Sequence, residues 1–291
     1  MNLSKHICHW FGAILLFGLT ILAHGSVNNA DLQKQYEGQV LTLRQFYPGE
    51  HLHFDAAGKL ANAGTPGAWT VYGKVWVKDI SLKHGVVHIQ GQRLFLFFDP
   101  ETKQLRDVGS VTKTDSARTL FRGGEKVVEW AAKLGKIEIE VECGVTQPEM
   151  ADLTHAMNAV FLAPGEGMAG VLPDLWKGYK REELPRAKDE RGAGRGAYRV
   201  GGSVSAPHAT YAPDPSYSEL ARQVGYQAVT VLWLIVDPDG LPQDIRIVKP
   251  SGMGLDEVAA SSVSKWRFDP AMKDGSRVAV MINVEVSFRL Y

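Results

Sequence analysis

From Tyr36 to Cys143, apolar and polar positions alternate in short runs separated by turn residues, which is the signature of half-buried antiparallel strands. Val40, Thr42 and Arg44 alternate with Leu41, Leu43 and Gln45, and Trp69, Val71, Val75 and Val77 follow a Pro66-Gly67 turn. Further runs cover Val86 to Gln90 and Arg93 to Phe98, the latter closed by Asp99-Pro100-Glu101. One helix interrupts the series. Val127, Val128, Ala131 and Leu134 fall at helical spacing after Gly123-Gly124, and Gly135 stops the element. The last run, Lys136 to Cys143, turns Ile137, Ile139 and Val141 to one side and Glu138, Glu140 and Glu142 to the other. The pattern predicts a small all-β domain over residues 36–145, barrel or sandwich-like.

The period then changes. Met150, Leu153, Met157 and Val160 or Phe161 form an apolar stripe, so residues 148–163 read as a helix. Residues 164–206 lose all periodicity: they hold three prolines, a mixed charge run from Lys177 to Arg199 and the glycines Gly192, Gly194, Gly196, Gly201 and Gly202. This reads as a flexible linker. Lys177 to Arg199 carries eight bases and four acids, so a solvated spacer and a contact with anionic lipid are both open. The Gly-x-Gly-x-Gly string lacks a preceding strand and a following Lys-Ser/Thr, so it is not a phosphate loop.

Regular patterning returns in residues 207–291. Ser216 can cap a short helix whose Tyr217, Leu220, Ala221 and Val224 share a face, closed by Gly225. Gln227 to Val236 is apolar on both faces and reads as a central strand, followed by an Asp237-Pro238-Asp239-Gly240 turn and a return strand from Asp244 to Lys249. Leu255, Val258, Ala259, Val263 and Trp266 lie on one helical face. In the final run, Val278, Val280, Ile282, Val284, Val286, Phe288 and Leu290 alternate with Ala279, Met281, Asn283, Glu285, Ser287 and Arg289. The order predicts a three-stranded antiparallel sheet with two helices, and with it an α+β fold for the chain.

At the N-terminus, Lys5 and His6 precede an uncharged run from Trp10 to Ala23, 14 residues long. A secretory signal needs about 7–15 apolar residues and a membrane span about 20. A signal peptide over 1–25, cut after Gly25, therefore competes with an uncleaved anchor over residues 7–27 that would tether the chain to the membrane. Cleavage removes Cys8 and leaves Cys143, which has no partner for an internal disulfide.

Thirty-two Lys and Arg balance 32 Asp and Glu over 291 residues, which removes the basic excess expected of a nucleic-acid binder. The apolar fraction of 45% excludes a disordered chain. Two features of the β-domain have the makings of chemistry: the pairs His51-x-His53 and His84-x3-His88, and the row Glu138, Glu140 and Glu142. No HExxH or CxxC accompanies them, so the histidines read as surface or packed residues and the glutamates as a solvated strand face. There is no GxSxG, paired-carboxylate signature or catalytic cysteine setting either. The expectation is a protein with no catalytic residues, no metal and no cofactor.

Residues 207–291 resemble the C-terminal domain of the TonB family of energy transducers. The matching positions are Tyr217-x-Glu219-x-Ala221-Arg222, Val236-Asp237-x-Asp239-Gly240, Ser251-Gly252, Leu255-Asp256, Ala259-Ala260, Val263, Trp266-Arg267-Phe268, Pro270-Ala271 and Asp274-Gly275. Ser218 departs from the proline usual after the tyrosine, and a serine still permits a helix start. The resemblance implies a periplasmic, non-enzymatic binding module in the envelope of a Gram-negative bacterium. Its partner would be an outer-membrane TonB-dependent transporter, or a peptide segment of that receptor, added as a strand to the last sheet edge. Carried to this sequence, the partner-binding residues are Val280, Met281, Ile282, Asn283, Val284, Glu285, Val286, Ser287 and Arg289. The strand reads equally as a packed edge blunted by Glu285 and Arg289. An inner-membrane-anchored energy transducer is the alternative, and inner-membrane motor proteins are partners only in that case. The family spans the periplasm on a long proline-rich spacer. Residues 164–206, with three prolines, reach roughly 35 Å as a flexible coil.

Overall fold

The computed structural model describes residues 27–62, 64–110, 121, 126–180, 183–184 and 196–290. The expected signal peptide, the expected anchor up to residue 26, and Gly123, Gly124, Gly192 and Gly194 lie outside them.

A short helix, α1 (Asn29–Tyr36), is capped by the Asn28 side chain and buries Leu32. Strands β1 (Val40–Thr42) and β2 (His51–Phe54) follow. Residues Trp69–Tyr72, read from Trp69 and Val71 as part of a strand, form instead a single helical turn, α2, with the Gly73 amide bonded to the Trp69 carbonyl. Trp69, Thr70 and Val71 are all buried, so this stretch has no polar face and its two apolar positions carried no period.

Strands β3 (Lys74–Lys83) and β4 (Val86–Arg93) make a long hairpin. A register shift between Val77 and Asp79 moves the buried set from Val75 and Val77 to Ile80, which is why the alternation in the sequence stops about halfway along β3. β5 (Leu96–Asp99) and β6 (Gln104–Asp107) pair as a separate hairpin. Helix α3 (Lys126–Leu134) leads into β7 (Lys136–Glu142), where Ile137, Ile139 and Val141 are buried as expected. Helix α4 (Met150–Val160) opens with a reciprocal Glu149–Asp152 capping box and buries Leu153, Ala156, Met157 and Val160, while Met150 is exposed in its first turn.

These strands form one five-stranded sheet in the order β1-β3-β4-β7-β2, antiparallel except for the β7–β2 pair. The barrel or sandwich expected from the strand count is not what forms. The sheet is open, and its apolar face joins Leu32 of α1 and the buried residues of α4 in one hydrophobic cluster. Helices therefore do the covering that a second sheet would have done.

The second half begins with β8 (Tyr198–Arg199) and β9 (His208–Tyr211). Helix α5 (Glu219–Gln223) is capped by Ser218, whose hydroxyl accepts from the Ala221 amide, rather than by Ser216. Then come β10 (Ala228–Val236), β11 (Pro242–Lys249), α6 (Leu255–Val263), β12 (Arg267–Asp269), β13 (Ala271–Lys273), β14 (Ser276–Val278) and β15 (Val280–Phe288). The main sheet runs β11-β10-β15-β8, with the first three strands antiparallel and β8 parallel to β15. Val278 belongs to the β13–β14 hairpin and not to the last strand.

The two sheets share a core. The Phe98 amide bonds to the Ser251 carbonyl (2.8 Å), the Met253 amide to the Leu96 carbonyl (2.7 Å) and the Gly254 amide to Thr70 Oγ1 (3.1 Å). Phe121 stacks on Tyr226 with centroids 4.9 Å apart. Gly252 is required at this seam: its φ is +82°, and a Cβ there would lie 2.3 Å from the Leu96 carbonyl oxygen.

Two stretches of the segment expected as a flexible linker, Asp174–Lys180 and Tyr198–Arg199, are seated on the second sheet, while Glu166 is held by Arg44 of the first half. Asp174–Lys180 forms a 3₁₀ helix whose Trp176 is buried, 5.2 Å from Trp69, and donates its indole N–H to Glu257. Gly178 abuts Arg246 and Ile247 of β11, and Arg246 donates to the Asp174 carbonyl. Trp176 and Tyr179 are the residues whose apolar area makes this seating favourable, and glycine and charge counts outweighed them in the sequence reading.

Candidate functional site

The site sits on β15, and hydrogen-bond parity settles its geometry. The Tyr198 amide donates to the Ala279 carbonyl (2.9 Å), so Ala279 and, by the two-residue alternation of a strand, Met281, Asn283, Glu285 and Ser287 point their N–H and C=O groups away from β10. Val280, Ile282, Val284, Val286 and Phe288 point theirs toward β10, whose residues Val236 to Ala228 oppose them in unbroken register. On the outer side, β8 pairs only with Val280 and Met281. Among the described residues no strand pairs with the outer edge from Ile282 to Phe288.

The side chains follow the same logic. Val280, Val286 and Phe288 are buried, and Ile282 and Val284 are half-buried. Asn283, Glu285, Ser287 and Arg289 are exposed, and Met281 is half-buried under the β8 end. Eight of the nine residues expected at the site thus lie on β15, and Arg289 follows its last residue. The opposite edge, β11, is flanked by Asp174–Lys180, which leaves β15 as the accessible side of this sheet.

A buried polar knot joins β10 to α6 and the loop before it. Asp256 accepts hydrogen bonds from the Ser251 amide (2.7 Å), the Gly252 amide (2.7 Å) and Thr230 Oγ1 (3.1 Å), and the Thr230 and Ser251 hydroxyls lie 2.8 Å apart, where Thr230 Oγ1 can accept the Ser251 proton. Burial pushes the Asp256 carboxyl up to about 7, with the neighbouring Glu257 adding to the shift and the three hydrogen bonds opposing it. Burial likewise raises Glu257, against its bond from Trp176. Ser218, the departure from the resembling pattern, caps α5 and donates to the Met253 carbonyl (2.6 Å), tying that helix to the same loop.

The histidines and glutamates of the first domain lie elsewhere, on the outer face of its sheet. His51 Nδ1 meets Glu138 at 3.0 Å, and Glu140 lies 3.1 Å from both His53 Nδ1 and His88 Nδ1. His53 Nε2 meets Glu142 at 2.8 Å, so only the protonated ring can donate to both of its carboxylates. His84 lies apart, in the β3–β4 turn at φ +52°. Strand pairing brings together two motifs that sequence reading kept separate. Among the described residues no group of three or more His, Cys, Asp or Glu is arranged to hold a metal ion. Cys143 is buried, and burial raises its thiol, which suits packing.

A strand that sequence reading missed is β8. Its two residues lie in the stretch dismissed for lack of period, and only the short apolar signal Ala197-Tyr198 before Val200 marked it.

A helix-backed antiparallel sheet with one half-open edge defines a module organised around a strand rather than a cleft. In sequence, residues 213–290 match the family described as Gram-negative bacterial TonB protein C-terminal. The chain is 32% identical over 79 residues to the protein tonB2 of Pseudomonas aeruginosa, 27% of this chain and 29% of that protein. It is 29% identical over 77 residues to the TonB protein of Vibrio cholerae, covering 26% and 32% of the two chains. It is also 29% identical over 92 residues to that of Xanthomonas campestris, covering 31% and 41%. The chain thus spans less than half the length of each of these relatives. A solution structure of the Pseudomonas aeruginosa TonB C-terminal domain aligns at 19% identity and a TM-score of 0.24, over 29% of this chain and 89% of that one. Among the described residues no helix is long and apolar enough to cross a membrane.

Proposed function

We propose that this protein is a non-enzymatic binding module of TonB-dependent transport, placed in the periplasm, that recognises an extended peptide of an outer-membrane transporter as an added strand on β15. The observation that carries this reading is the run of outward main-chain groups at Asn283, Glu285 and Ser287, unpaired by any strand among the described residues, in the domain that matches the family. Main-chain bonds supply affinity in such a pairing. The exposed Asn283, Glu285, Ser287 and Arg289 tune partner choice. The first sheet travels with the module, because the seam at Leu96–Phe98 and Ser251–Met253 joins their cores.

Proline placement tests the reading. Glu285→Pro removes an outward donor and leaves the β10 ladder intact, as an edge strand tolerates. Its binding to synthetic N-terminal peptides of outer-membrane transporters should fall at least about tenfold while the protein stays folded, since one good hydrogen bond is worth about 1 kcal/mol and its loss disorders neighbouring pairs. Unchanged affinity in the folded variant would discard this edge. Whether the chain works free or anchored through residues 7–27 is decided by sequencing the mature N-terminus: a start at Ser26 removes the anchored energy transducer and its motor partners.

A further inference from the structure

The residues of this chain that lie on β15 occupy part of the surface assigned to the partner. Ala197 is 1% exposed, Tyr198 and Arg199 pair with Val280 and Met281, and the chain then turns through Gly201 and Gly202, both at positive φ. It is fixed again on the next hairpin: Val204 bridges Lys273, the Ser205 amide donates to the Met272 carbonyl (2.9 Å), and the Met272 amide donates to Ser205 Oγ (2.8 Å). Lys273 Nζ lies 4.6 Å from the centroid of the Tyr198 ring, a cation–π contact that pins the strand from its far side. The segment is therefore anchored at both ends, on the β15 edge at Tyr198–Arg199 and on the β13–β14 hairpin at Val204–Ser205. Yet β8 is only two residues long, and two ladder positions are few beside the nine that β10 holds on the other side of β15.

We infer that residues 196–205 are a self-supplied strand that competes with the partner for the outer edge of β15 and sets how readily that edge is engaged. The inference rests on β15 being the partner's edge. An incoming strand can seat first on the open Asn283–Ser287 groups and then displace Tyr198–Arg199 from Val280 and Met281. The short pairing keeps the barrier low, and the anchor at Val204 and Ser205 returns the segment when the partner leaves. Where the edge is open in only a fraction of molecules, the apparent affinity falls by that fraction, so an edge free in about one molecule in ten binds about tenfold more weakly than a permanently open one.

The test uses the full chain and, as probe, a synthetic peptide of residues 196–205. Tyr198→Pro removes the amide that bonds Ala279; Lys273→Ala removes the cation over the ring and keeps every backbone group. The peptide should bind Tyr198→Pro about tenfold tighter than wild type, with Lys273→Ala between them. The Met281 amide should exchange slowly with solvent in wild type and quickly in Tyr198→Pro, while Asn283 and Glu285 exchange quickly in both. Equal affinity for all three proteins, or no binding even to the proline variant, overturns the inference. If Tyr198→Pro does not fold, the comparison of Lys273→Ala with wild type decides, and equal affinity there has the same meaning. A transporter peptide that binds wild type and Tyr198→Pro alike also overturns the competition and leaves the edge reading standing. A transporter peptide indifferent to Glu285→Pro removes the edge reading itself.

Discussion

The two sheets bury one face each in a common core, and they differ in what they do with the rest. The outer face of the first carries three carboxylates on β7, and each meets at least one imidazole from β2 or β4. Its charges are answered within the sheet. In the second sheet, the outward main-chain groups from Asn283 to Ser287 are paired by no strand among the described residues. A side-chain ladder makes a surface self-sufficient in solution; an unpaired backbone edge is a template for another strand. The contrast explains why the residues that looked chemical in the sequence turn out to be a solvated lattice, and why the candidate site lies on a strand with no chemically distinctive residue.

This contrast can be broken in several places, and the largest effect should come from Ile282→Pro. Ile282 faces β10 opposite Leu234, so the proline removes a ladder bond in the middle of the sheet. A loss of about 3 kcal/mol or more, read by chemical denaturation, is expected, against about 1 kcal/mol or less for Glu285→Pro on the outer side. Equal losses would mean that the parity assigned to β15 is wrong.

Next in size is the seam. Gly252→Ala places a methyl carbon 2.3 Å from the Leu96 carbonyl oxygen at a φ of +82°, and should lower stability by about 2–4 kcal/mol. If the two sheets unfold as one unit, a single transition shifts. A second transition appearing in the variant would show that the seam was all that joined them.

A smaller effect should follow pH. The folded Asp256 carboxyl lies near 7 and the unfolded one near 3.9, so the folded state holds the extra proton between these values. Its contribution is fully present below about pH 4 and is lost as pH rises through 7. Melting temperature should therefore decline from pH 5 to 7.5 in wild type, and Asp256→Asn, which keeps the acceptor oxygen, should flatten that part of the slope. A slope unchanged by the substitution would assign it to other groups. The smallest effect is expected from His53→Ala, whose partners are half-exposed: about 0–1 kcal/mol, shrinking with added salt. A loss above that range would make the lattice a structural element of the first sheet.

Much of the second domain was legible. The alternation read from Val278 to Leu290, the two-faced apolarity of Gln227 to Val236 and the Asp237–Gly240 turn each correspond, within one or two residues at the ends, to an observed element, since a half-buried strand, a central strand and a tight turn impose their requirements locally. The strand that carries the candidate site was legible, and even the helix cap missed by two residues, at Ser218 in place of Ser216, obeyed a local rule. The first domain was legible strand by strand but not as an architecture. Alternation tells which side of a strand is apolar and does not tell whether a sheet or a helix covers it. The bulge at Lys78 and the single turn at Trp69–Tyr72 broke the period over stretches too short to show a new one.

What the sequence determined by itself was therefore many of the local elements, the inward and outward faces of β7 and β15, and the likeness of residues 213–290 to the TonB C-terminal family. These follow from periods of a few residues, where side-chain polarity and backbone geometry are tied together. Three things were decided only by tertiary structure: that Leu96–Phe98 dock on Ser251–Met253, that His53 and His88 converge on Glu140, and that Tyr198–Arg199 lie along the edge of β15. Each joins residues dozens of positions apart through main-chain bonds or through side chains on neighbouring strands. No local period records such a contact, because what stabilises it is the area and the hydrogen bonds gained once both partners are already folded.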